Sequence, residues 1–182
     1  MYLLFFLAIG VAACGKKNET DSKEIAQDQN EEKFDSADTK GDAEFAVAAA
    51  DGGMLEVQLG QLAVSKASSP SVKKFGQSMI DDHSKANGEL KSLAAQKNIT
   101  LPATLSDKNQ KKYDELSAKS GAEFDKAYSK FMVEDHKEDI DEFKKEAEKG
   151  NDPDLKNWAS GKVSVLEHHL MMAEAARDEV DK

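Results

Sequence analysis

Cysteine is almost missing from this chain of 182 residues: Cys14 stands alone. No disulfide can form within one molecule, so packing alone must hold any fold. A basic surplus is missing too, because 35 acidic side chains outnumber 25 basic ones and leave a formal charge of −10. That balance excludes a nucleic-acid partner, which needs a positive patch for its phosphates. Proline occurs three times, and runs of alternating apolar residues that would mark strands are absent. No serine or cysteine arrangement for nucleophilic catalysis is visible, and no phosphate-cradling loop. The only glycine pair, Gly52-Gly53, sits inside a helical pattern, where it permits close packing or a kink. Nothing therefore points to an enzyme.

What the chain does have begins at its first residues. Tyr2 to Ala13 form an apolar run of about a dozen residues, too short to span a bilayer. It ends in Val11-Ala12-Ala13-Cys14, which resembles a bacterial lipobox. Residues 1–14 thus read as a lipoprotein signal peptide, although no Lys or Arg precedes the apolar run. Cys14 is the expected site of lipid attachment and would anchor the chain to a membrane. Gly15 follows the cysteine, so no aspartate retention signal is present. The expected location is the cell envelope: the outer membrane, facing periplasm or surface. Residues 15–41 are rich in charge and poor in apolar residues, and read as a disordered acidic tether.

From Asp42 to Lys182 the apolar residues recur every three or four positions, the period of helices with one buried face. The spacing predicts long helices over about 42–67, 70–97, 122–149 and 153–181, with a short polar one over about 107–119. Ser69-Pro70 and Asp152-Pro153 are start signals: a capping side chain followed by proline in the first helical turn. The first two long helices are joined tightly, as are the last two, and a long connection (98–121) lies between. That connectivity predicts an all-α, antiparallel four-helix bundle of ferritin-like type, with the short helix in the crossover. An up-down-up-down bundle is the alternative. An internal echo links Met79-x-x-Asp82-His83 with Met132-x-x-Asp135-His136.

Four polar residues interrupt the apolar stripes near the helix midpoints: Glu56, His83, His136 and His169. Midpoints share a level in an antiparallel bundle, so the four are expected to meet in one layer. Buried without partners they would be costly. Three imidazoles and a carboxylate suit one divalent transition metal, such as zinc, iron, manganese or copper. Asp82 and Asp135, next to two of the histidines, are candidate outer partners. The Glu-x-x-His pattern of di-iron proteins is absent, since Ile80, Val133 and Leu166 stand three residues before the histidines. Met79 and Met132 suit core filling better than copper ligation.

Phe45-Ala-Val-Ala-Ala-Ala, Gly53-Met-Leu-Glu56, Leu59-Gly-Gln-Leu-Ala63 and Val72-Lys-Lys-Phe75 resemble the domain-of-unknown-function (DUF) 4142 family, as do Asp82-His83, Phe124-Asp-Lys-Ala-Tyr128, Asp135-His136 and His169. The resemblance covers about residues 42–178. It implies an exported bacterial ferritin-like helical domain and names no activity. Two functional classes follow: a metal-binding envelope protein, or a non-catalytic scaffold or partner-binding bundle whose polar layer holds no metal. Cys14→Ser is expected to move the protein from the membrane fraction to the soluble one, or to block processing. Unchanged membrane association with unchanged mass would contradict the lipid anchor.

Overall fold

The computed structural model describes residues 21–182. The expected signal peptide and Cys14 lie outside them. Among the described residues the chain is all-helical: α1 (Ser22–Lys33), α2 (Ala37–Lys66), α3 (Pro70–Gln96), α4 (Asp107–Ser117), α5 (Gly121–Lys149) and α6 (Pro153–Val180). None of these helices is long and apolar enough to cross a membrane.

Local chemistry sets the boundaries as the sequence suggests. Ser69 Oγ accepts from the Val72 amide at the start of α3, and Asp152 accepts from the Asp154 and Leu155 amides at the start of α6. Each cap is followed by proline at the first position, where a missing N–H costs nothing. Asn98, with φ 57°, turns the chain out of α3 in the left-handed region that asparagine tolerates.

The expected tether is corrected by α1. A segment with so little apolar surface was expected to stay unfolded, yet it docks mainly through polar side chains. Asn30 donates to the Thr100 carbonyl at 2.8 Å and accepts from the Thr100 amide at 2.7 Å. Ser22 Oγ accepts from the Ala103 and Thr104 amides, and Asp21 from the Asp107 amide. The helix thus satisfies the backbone of the crossover loop, a need that hydrophobic patterning does not register. Ala26 is its one buried apolar residue. α2 also starts at Ala37 rather than near residue 42, capped by Ser36.

Residue contacts define how the long helices lie. Gly60 meets Gly76 between α2 and α3. Phe143 meets Trp158 between α5 and α6, and Lys162 binds Glu89 between α6 and α3. Phe45 meets Phe143 between α2 and α5. A second contact in each pair (Gly53–Asn87, Lys137–Glu174, His83–His169 and Glu56–His136) shows residue numbers rising on one helix as they fall on the other, so all four pairs are antiparallel.

The two hairpins also clamp each other. Buried Asp42, near the start of α2, accepts from the Asn151 and Asp152 amides in the α5–α6 turn. Buried Asp125, near the start of α5, accepts from the Ser68 and Ser69 amides in the α2–α3 turn. Asp42 and Asp125 are separated by the same offset as Pro70 and Pro153. This two-fold relation pairs α2 with α5 and α3 with α6, not α3 with α5 as the Met-x-x-Asp-His echo suggests.

Apolar clusters fill both ends. Phe75, Phe124, Tyr128, Met79 and Met132 anchor one, and Phe45, Phe143, Trp158 and Leu166 pack in the other. Both methionines are wholly buried core residues. At the Gly60–Gly76 contact, a Cβ on Gly76 would lie 2.6 Å from the Ala63 Cβ and 2.9 Å from the Gly60 carbonyl oxygen. Gly76→Ala should therefore destabilise the fold by about 1–3 kcal/mol through overpacking, outweighing alanine's helix preference of about 1 kcal/mol. Urea denaturation checks this; a more stable variant would show that α2 and α3 can part without cost.

Candidate metal centre

The four residues expected in one layer do meet, but not as four equal ligands. Glu56 comes from α2, His83 from α3, His136 from α5 and His169 from α6. All are buried, with 2%, 7%, 0% and 0% of their surface exposed. One ring nitrogen from each histidine lies within 4.8 Å of the other two. Glu56 belongs to a neighbouring group with Asp135 and His136, bounded by the same distance.

Each histidine is held by the nitrogen that faces away from its neighbours. His136 Nδ1 donates to the Met132 carbonyl at 3.0 Å, which leaves Nε2 as a lone pair in the neutral ring. His169 Nε2 donates to Asp82 at 2.9 Å, leaving Nδ1 bare. Asp82 thus binds the histidine across the helix interface rather than its neighbour His83. His83 Nδ1 lies 2.7 Å from Glu56 Oε2, and His83 Nε2 faces His169 Nδ1 at 3.3 Å.

Two protonation patterns follow. With Glu56 ionised, His83 donates through Nδ1, so two bare lone pairs face each other and require a cation between them. With Glu56 protonated, hydrogen bonds run from Glu56 through His83 and His169 to Asp82. Burial pushes the Glu56 carboxyl up to about 8, which favours the second pattern at neutral pH without metal. In both patterns His136 Nε2 has no hydrogen-bond donor, and Glu56 Oε1 lies 3.5 Å from it.

Asp139 was missed from sequence. It stands one turn after His136, on the same face of α5, and that spacing was the available signal. Its carboxyl approaches Glu56, a contact that is a hydrogen bond only when one of the pair carries a proton. Glu56 and Asp139 are related by the same offset as Asp42 and Asp125, so the two-fold brings equivalent carboxyls together. Burial and the Glu56 charge push both Asp139 and Asp135 well above the usual carboxylate range. Asp135 thus sits beside Glu56 and His136 rather than behind His136 alone. His168 is exposed and stands apart from the layer.

The rings resist protonation. Burial lowers His83 to about 4, and burial with the neighbouring imidazoles lowers His136 to about 3. Unfolded, each would titrate near 6.5, so their contribution to stability is complete above that pH and falls as pH drops toward those values. Glu56 acts in the opposite sense: its contribution is complete below 4.5 and is lost as pH rises through about 8.

The family model described as Domain of unknown function (DUF4142) matches residues 26–176, beginning inside α1. No curated protein and no solved structure matches the chain. In ¹⁵N NMR of the metal-free protein, His136 should be the Nδ1–H tautomer and stay neutral down to about pH 4. A ring titrating near 6.5 would contradict its enclosure.

Proposed function

The chain belongs to the DUF4142 family, and we propose that it is a lipid-anchored envelope protein whose helices hold one divalent transition metal on His83, His136 and His169, with Glu56 beside them. The helices form a ferritin-like four-helix bundle in this reading, two hairpins joined by one long crossover. Cys14 carries the lipid and fixes the protein to a cell-envelope membrane, most simply the outer membrane.

One observation carries the metal: three buried imidazoles are each tied by the outward nitrogen, so that the inward nitrogens converge. That is how proteins orient histidine ligands. The spacing fits as well. Ligands about 2.1 Å from a tetrahedral ion lie about 3.4 Å from one another. The His83–His169 separation is 3.3 Å. Neutral nitrogen donors favour zinc, copper, nickel or ferrous iron over magnesium or calcium.

The second reading, a metal-free structural layer, is favoured by the proton chain from Glu56 to Asp82. It leaves His136 Nε2 unpaired, at a cost of about 1–3 kcal/mol. The two readings separate by linkage. Free metal at a hundred times Kd should stabilise the fold by about 2.7 kcal/mol and raise Tm by several degrees. His83→Ala, His136→Ala or His169→Ala should abolish that rise, and His168→Ala should keep it.

Acidity should act mainly through Glu56, whose proton must leave before His83 Nε2 is bare. Affinity should fall about tenfold per pH unit from about 8 toward 4, and more steeply below. Metal-competition titrations give the slope. A Tm indifferent to metal in the parent protein would leave the structural layer as the reading.

A further inference from the structure

A pocket of about 100 Å³ opens beside the histidine cluster. Glu56, His83, Asp139 and His169 form its polar end. His136, wholly buried, is not among its lining residues and backs the cluster from within the core. Trp158, Phe143 and Leu166 give it apolar walls, and Lys85 and Lys162 reach its rim. Lys162 is paired with Glu89, and Lys85 offsets the charge of Asp82, so the rim is close to neutral.

Gly52 on α2 lines the pocket, and a Cβ built there would meet nothing within 4 Å, so a larger side chain has room to enter it. The adjacent Gly53 differs: its Cβ would collide with Asn87 Oδ1 at 2.2 Å, so that glycine serves packing.

We propose that this pocket admits a small monoanion, of the formate, nitrite or azide class, to the fourth coordination position of the metal on His83, His136 and His169. The inference rests on the metal reading. Closed structural sites use four protein ligands, whereas three ligands and a cleft leave a position for an exchangeable one. With Glu56 ionised beside it, a divalent ion on three neutral imidazoles keeps about one net positive charge, which a single monoanion would balance. Glu56 and Asp139 limit that anion to one charge, because a dianion would set its second charge against theirs. The volume has room for such an anion with several waters, since a single water needs roughly 10–15 Å³. The Asn87 amide, also in the lining, is a neutral hydrogen-bonding group for the outer end of the anion.

The test uses the full chain loaded with Co²⁺, whose visible spectrum reports coordination, titrated with azide and with formate. Saturable spectral change with both is expected. Gly52→Leu should keep its cobalt and weaken azide binding at least about tenfold by filling the cleft; Ala86→Leu, on the facing α3 wall, is the second block if the first variant does not fold. Lys85→Glu, at the exposed rim, should weaken azide about two- to threefold. Bound cobalt with a spectrum that azide leaves unmoved would overturn the pocket proposal alone. So would a cleft-filled variant that binds azide like the parent. Failure to take up cobalt at all would instead defeat the metal reading, and this inference with it.

Discussion

Three imidazole nitrogens gathered at one buried point are the constraint around which this molecule is organised. Each ring is fixed from behind, by a backbone carbonyl, an aspartate or a glutamate. The point must then hold something positive, a proton or a metal ion, because like-facing lone pairs in a low-dielectric core repel. Glu56 decides which. Protonated, its carboxyl starts the hydrogen-bond chain through His83 and His169; ionised, it leaves two bare lone pairs facing each other.

The scaffold serves that point with few moving parts. Two hairpins lock each other through Asp42 and Asp125, which spend buried carboxylates on the backbone amides of the opposite turn. The same two-fold relation sets Glu56 against Asp139, so the centre of the molecule carries an acidic pair. Asp51 accepts from the Ser106 amide and so fixes the crossover, which α1 covers from outside. Apolar clusters above and below seal the layer and keep the rings neutral far below their ordinary range.

Function follows from what the layer leaves accessible. A centre sealed on all sides would suit a purely structural ion, while one with a small cleft suits an ion that exchanges a ligand. Gly52 on α2 lines that cleft and leaves it open on its side. Family membership adds no reaction to this, so the chemistry must be read from the site itself.

Much of this was legible in the chain. Helical periodicity, capped starts at Ser69-Pro70 and Asp152-Pro153, and one polar residue near the middle of each long helix are local patterns, and local physics decides them. The convergence of Glu56, His83, His136 and His169 on one level followed, because antiparallel midpoints coincide. Other features depended on contacts between residues far apart in sequence. α1 was invisible to hydrophobic patterning because its partners are backbone groups of a distant loop. Asp139 looked like one more surface acid until the two-fold placed it against Glu56. The split of roles, with Glu56 holding His83 while Asp82 reaches across to His169, depends on which ring nitrogen faces inward. The sequence by itself determined the helices and the polar residues at their midpoints; only the tertiary structure, by orienting each ring, decided which atoms meet.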